Sequence, residues 1–118
     1  MQREGYILVV ETGDLIRGLL ERWLGEAGHT VVTRAAGDPA PEGRLRLVIA
    51  DVASPRRGGA RIASLRAASR AAMLVLSARF RRGLGAAAAR QLGVQRVLPK
   101  PFTRAELLPA VRETIEAP

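Results

Sequence analysis

Five short apolar runs constrain this chain more than any other feature: "YILVV" (6–10), "TVVT" (30–33), "LRLVIA" (45–50), "MLVLS" (73–77) and "QRVLP" (95–99). They are rich in Val, Ile and Leu. The first, third and fourth are almost continuously apolar, the pattern of strands buried on both faces. Between the runs lie segments with helical spacing. Ile16, Leu19, Leu20 and Trp23 recur at three- and four-residue intervals from Asp14 to Ala27, with Trp23 read as core, and Gly28 supplies a stop. Residues 60–69 and 84–92 carry weaker, alanine-rich helical patterns. Thr103-Arg104-Ala105-Glu106 reads as a capping box opening a last helix to about Ile115, with Pro109 expected to bend or disturb it. Strands alternating with helices imply parallel strands, crossover helices and a sheet covered on both faces. One crossover is odd: "AAGDPAPEGR" holds two prolines and two glycines, so at most a turn or two of helix is expected there, around 39–43.

The 118 residues predict one domain spanning 1–118, long enough to bury a hydrophobic core. No apolar run approaches the length of a membrane span. The start, Met1-Gln2-Arg3-Glu4-Gly5, lacks signal-peptide character, and a cytoplasmic location is the expectation. There are no cysteines, which excludes disulfides and thiolate chemistry; a single histidine, His29, excludes a multi-histidine metal site and reads as a polar residue at a strand start. The formal charge of +8 fits either an anionic partner or the arginine-rich coding bias visible in "AASRAA" and "GAAAAR". Aromatics make up only 3% of the chain and no zinc spacing is present, so nucleic-acid binding through basic loops ranks last among the functions considered.

In open parallel sheets, chemistry collects beyond the carboxyl ends of the strands. Here those positions hold Glu11-Thr12, Asp51, Ser77-Ala78 and Lys100-Pro101. Lys100 is the only lysine among 19 basic residues, all the others being arginine. Two carboxylates, a hydroxyl and an ammonium at one edge suit phosphoryl transfer to a carboxylate, with Asp51 as nucleophile and Ser77 and Lys100 on the phosphoryl oxygens. The same residues could instead form a Lys100–Asp51 ion pair with Ser77 as a strand-end cap.

The pieces "ILVVETGDLIRGLLERWLGEAGHTVVT", "LRLVIADVASPRRGG", "MLVLSA" and "VLPKPFTRAELL" together resemble, nearly end to end, the receiver domain of two-component response regulators. The resemblance implies a flavodoxin-like α/β fold: a doubly wound five-stranded parallel sheet of order 2-1-3-4-5, here with a shortened or irregular second helix. It matches Asp51 to the phosphoacceptor, Ser77 to the conserved hydroxyl and Lys100 to the invariant lysine. Pro55 and Gly59 match the loop after the phosphoacceptor, and Pro101 matches the proline that follows the lysine, typically through a cis bond. It implies Mg²⁺ held by Glu11, Asp51 and the backbone carbonyl of Ala53, with Thr12 in place of the usual acid. The implied partners are a histidine kinase or phosphotransfer protein, an output protein or effector domain reached through the last strand and helices, and a second copy in a homodimer. Such domains are signalling modules rather than enzymes. No output domain lies within these residues, so the expectation is a stand-alone or excised receiver.

Three departures from the family pattern stand out. Thr12 supplies oxygen but no charge, so Mg²⁺ affinity and phosphorylation efficiency should fall, and Asp14 serves the helix dipole rather than the metal. Val97 replaces an aromatic switch residue. Arg56, Arg57, Arg79, Arg81 and Arg82 fall on the loops that rim the site, with Gly58 where an acid is usual. These arginines are either compositional or fold toward Glu11 and Asp51 to supply the missing charge. Two functional readings follow: a receiver that accepts phosphate on Asp51, or a pseudo-receiver that acts as a phosphorylation-independent interaction module.

Overall fold

The computed structural model describes residues 5–10, 13–34, 38, 41–52, 62–67, 70–77 and 85–116. The apolar runs become the strands β1 (Tyr6–Val10), β2 (Val31–Arg34), β3 (Leu45–Asp51), β4 (Ala72–Ser77) and β5 (Arg96–Pro99), each within a residue of its expected bounds. They form one parallel sheet in the order β2-β1-β3-β4-β5. Four helical segments lie among the described residues: α1 (Asp14–Glu26), α2 (residues 62–67), α3 (Gly85–Leu92) and α4 (Arg104–Glu116).

The two-residue period of each strand sorts its side chains onto opposite faces. Tyr6, Leu8, Val10, Val48, Ala50, Met73, Val75 and Val97 gather with Ile62 of α2 and Ala89 of α3. Ile7, Val9, Leu47, Ile49, Leu74, Leu76 and Leu98 gather with Leu20 and Leu24 of α1 and Leu107, Ala110 and Val111 of α4. The sheet is therefore doubly wound, and the continuous apolar runs exist because both faces are covered. Val97 is buried in the first of these clusters.

The helix punctuation works largely as the residues dictate. At the end of α1, the Gly28 N–H donates to Gly25 O at 3.0 Å and the His29 N–H to Leu24 O at 3.0 Å. That is the Schellman pattern, with Gly28 at φ +92°. The capping box forms reciprocally: the Thr103 N–H donates to Glu106 Oε1 at 3.0 Å, and the Glu106 N–H donates to Thr103 Oγ1 at 3.1 Å. Replacing Thr103 with alanine should cost about 1 kcal/mol, the usual effect of losing a helix cap. A urea titration showing an unchanged midpoint would contradict this.

Three expectations need correction. Pro41, Glu42 and Gly43 are not helical; residues 39–40 lie outside the described set. Proline restrains the residue before it to extended conformations, and Gly43 sits at φ +115°, outside the helical region. The segment is instead fastened by the Tyr6 hydroxyl, which donates to Pro41 O at 2.7 Å. Trp23 is half-buried at the margin of the core, edge-to-face with Phe102 at a centroid distance of 6.3 Å. Pro109 does not interrupt α4, which runs unbroken through it. The one hydrogen bond lost falls at Ala105, whose exposure lets water replace it. Leu107, Ala110, Val111 and Thr114 hold the helix by burial.

Candidate functional site

Three of the residues singled out above end or follow strands at the carboxyl edge of the sheet. Asp51 ends β3, in register with Leu76, and the next amide, Val52 N–H, donates to Leu76 O at 2.9 Å. Ser77 ends β4, fully buried and in register with Pro99. The Lys100 N–H donates to Ser77 O at 3.0 Å, which continues the β4–β5 ladder one residue beyond the strand. The Lys100–Pro101 peptide is cis.

Asp51 and Lys100 stand two strands apart, about 10 Å at the ordinary strand spacing. The long lysine stem crosses β4 and brings Nζ to 2.5 Å from Asp51 Oδ1. The side chains are 11% exposed for Asp51 and 22% for Lys100, so the ion pair is sheltered without being sealed. A carboxylate at that depth needs a compensating charge. A compact ammonium on a flexible stem fits such a confined approach better than the broad guanidinium fork. This gives a physical account of why the chain's one lysine stands where it does.

Chemically the edge offers a sheltered carboxylate, a cation directly on it and a hydroxyl on the intervening strand. Glu11, Thr12 and Ala53 lie outside the described residues, as do Pro55, Arg56, Arg57, Gly58, Gly59, Arg79, Arg81 and Arg82. Among the described residues no three His, Cys, Asp or Glu side chains gather as a metal site. Asp14 opens α1 and pairs with Arg17 at 2.7 Å, in keeping with its reading as a helix-start acid.

The fold has close counterparts among solved structures. The chemotaxis protein CheY4 of Vibrio cholerae is 24% identical, with a TM-score of 0.75 over 95% of this chain and 99% of that one. The non-phosphorylated HemR receiver domain of Leptospira biflexa is 21% identical, with a TM-score of 0.77 over 97% and 96%. The chain has the fold of response-regulator receiver domains. The transcriptional regulatory protein PdtaR of Mycobacterium tuberculosis is 36% identical to it over 110 residues, covering 89% of this chain and 54% of that protein. The chain thus spans about half the length of the curated relatives it matches. No protein-family model matches it. No described helix is long and apolar enough to cross a membrane.

Sequence reasoning passed over Arg46, near the start of β3, and Arg112 of α4, which line a cleft away from the strand end that carries Asp51. No local signal marks them, because β3 and α4 come together only in the folded domain.

Proposed function

We propose that this receiver domain accepts a phosphoryl group on Asp51 from a histidine kinase or phosphotransfer protein in two-component signalling, with weakened Mg²⁺ dependence. The observation that carries the reading is the Lys100 ammonium 2.5 Å from Asp51 Oδ1, with the buried Ser77 on the strand between them. In the proposed step an Asp51 oxygen attacks the phosphorus, the donor's P–N bond breaks, and its histidine leaves. Lys100 then follows the negative charge onto a phosphoryl oxygen, while the Ser77 hydroxyl serves another.

The donor set for a divalent cation comprises the carboxylates of Asp51 and Glu11, the carbonyl of Ala53 and the neutral hydroxyl of Thr12. Oxygen ligands with one or two carboxylates suit Mg²⁺ in kind, but this set lacks the charge of a third acid. When bound, the ion would neutralise charge building up on the phosphoryl group. The signal would then leave through the last strand and helices to an output protein.

The test is incubation with a small phosphodonor and Mg²⁺, followed by assay for an acid-stable, alkali-labile acyl phosphate. The expected result is a label on the native chain and none on Asp51→Asn. If the native chain takes no label at any Mg²⁺ concentration, the domain is a pseudo-receiver working through protein contacts alone.

A further inference from the structure

Two residues remain unexplained by the Asp51 site: His29, the chain's one histidine, and Pro109, the proline inside α4. Both line the same cleft, of about 340 Å³, together with Ala27, Arg46, Arg112 and the end of α4. A break of local rules without evident structural gain often marks a functional position. The cleft's walls divide by chemistry. Leu108, Pro109 and Ile115 give it an apolar side, and Arg46 and Arg112 give it positive charge.

Among the described residues no carboxylate pairs with these charges. Elsewhere the carboxylates take arginine partners: Asp14 with Arg17, Glu26 with Arg22 and Arg104, Glu113 with Arg96. Neither Arg46 nor Arg112 has an ion pair among the described residues. Glu116 shares the cleft and lies one turn after Arg112, but it makes no ion pair among the described residues either. Base before acid is the weaker order for such a pair, and an acid at a helix C-terminus opposes the dipole.

The Arg46 stem lies against Gly5. Gly5 has φ +101°, and a Cβ there would come within 2.7 Å of Arg46 Cγ, so the bare glycine makes room for the arginine stem. The volume lies at the small end for ligand sites.

We propose that this cleft binds a small organic anion, a phosphonate-, phosphate- or carboxylate-bearing molecule with an apolar body, held by Arg46 and Arg112 against Pro109, Leu108 and Ile115. The site stands apart from the Asp51 chemistry, and its test does not depend on phosphorylation.

The experiment is a heteronuclear NMR titration of the ¹⁵N-labelled chain in Mg²⁺-free, low-salt buffer, with phenylphosphonate, benzoate and neutral benzamide as separate probes. Saturable shifts at the His29, Arg46 and Arg112 amides are expected with an anion and much smaller ones with benzamide. The tighter of the two anions identifies the preferred head group. Arg112→Gln, on an exposed helix position, and Arg46→Gln should each weaken binding about tenfold, as loss of a hydrogen bond to a charged group does. Glu116→Gln should tighten binding, an outcome that misfolding cannot mimic. The proposal is overturned if benzamide shifts these amides as strongly as the anions do. Absence of saturation, or unaltered binding in both arginine variants with native-like spectra, overturns it equally.

Discussion

Replacing Thr12 with aspartate should strengthen Mg²⁺-dependent labelling of Asp51 by about tenfold or more. Loss of even an outer partner of a metal ligand typically changes metal affinity by about 10–100-fold. A carboxylate added at the position proposed as a direct ligand should do at least as much, because Mg²⁺ depends on anionic oxygens to offset its dehydration. The measurement is acyl-phosphate yield against Mg²⁺ concentration for the native chain, Thr12→Asp, and Thr12→Asp combined with Asp51→Asn. The midpoint should move to lower Mg²⁺ in the single variant, and the double variant should stay unlabelled. A second readout needs no phosphate. Without metal, a third acid in the proposed donor set with Glu11 and Asp51 should lower thermal stability by like-charge repulsion. Mg²⁺ should restore it, since a ligand that binds only the folded state stabilises that state. If the Mg²⁺ midpoint of the variant coincides with that of the native chain, the view that Thr12 weakens the metal site is wrong.

Replacing Lys100 with methionine should destabilise the fold by about 2 kcal/mol, below the ~3–5 kcal/mol seen when a fully buried pair loses one member. The lower figure follows from residual exposure of 11% at Asp51, which lets water take up part of the lost interaction. The cost arises from the carboxylate left behind rather than from the missing lysine. Combining Lys100→Met with Asp51→Asn should therefore recover most of the loss, and the double-mutant cycle should report strong coupling. Lys100→Arg should not behave as a conservative change. It keeps the charge but brings a planar fork into a path cut for a single stem across β4. Urea unfolding of the four chains measures all of this. Additive losses in the cycle would mean that the Asp51–Lys100 contact contributes no coupling to stability.

Much of the fold was legible in the sequence for one reason: a parallel sheet covered on both faces needs strands with no polar side. The runs at 6–10, 45–50 and 73–77 meet that need. The stop at Gly28 and the capping box at Thr103 were equally readable, because each is a local device whose partners lie within five residues. Trp23 was misread because helical spacing identifies a face but not how far that face extends beyond its neighbour. Pro109 was misread because the local cost of a missing hydrogen bond was weighed without the burial of Leu107, Ala110 and Val111 that holds α4 together.

At the candidate site the division is sharper. The sequence by itself determined that Asp51, Ser77 and Lys100 terminate or follow strands and therefore share one edge of the sheet. It also determined that lysine rather than arginine stands at position 100 and that a neutral Thr12 follows Glu11. The tertiary structure bears out the order β3-β4-β5 that the resemblance implied, and it alone decided that Lys100 reaches across β4 to Asp51 Oδ1 and that Ser77 on that strand is fully buried. It alone drew His29, Arg46, Pro109 and Arg112 into one cleft. The physical reason is one of range. Periodicity, caps and strand ends are set by interactions between near neighbours in the chain. Strand order and the pairing of distant charges are set by how whole layers pack.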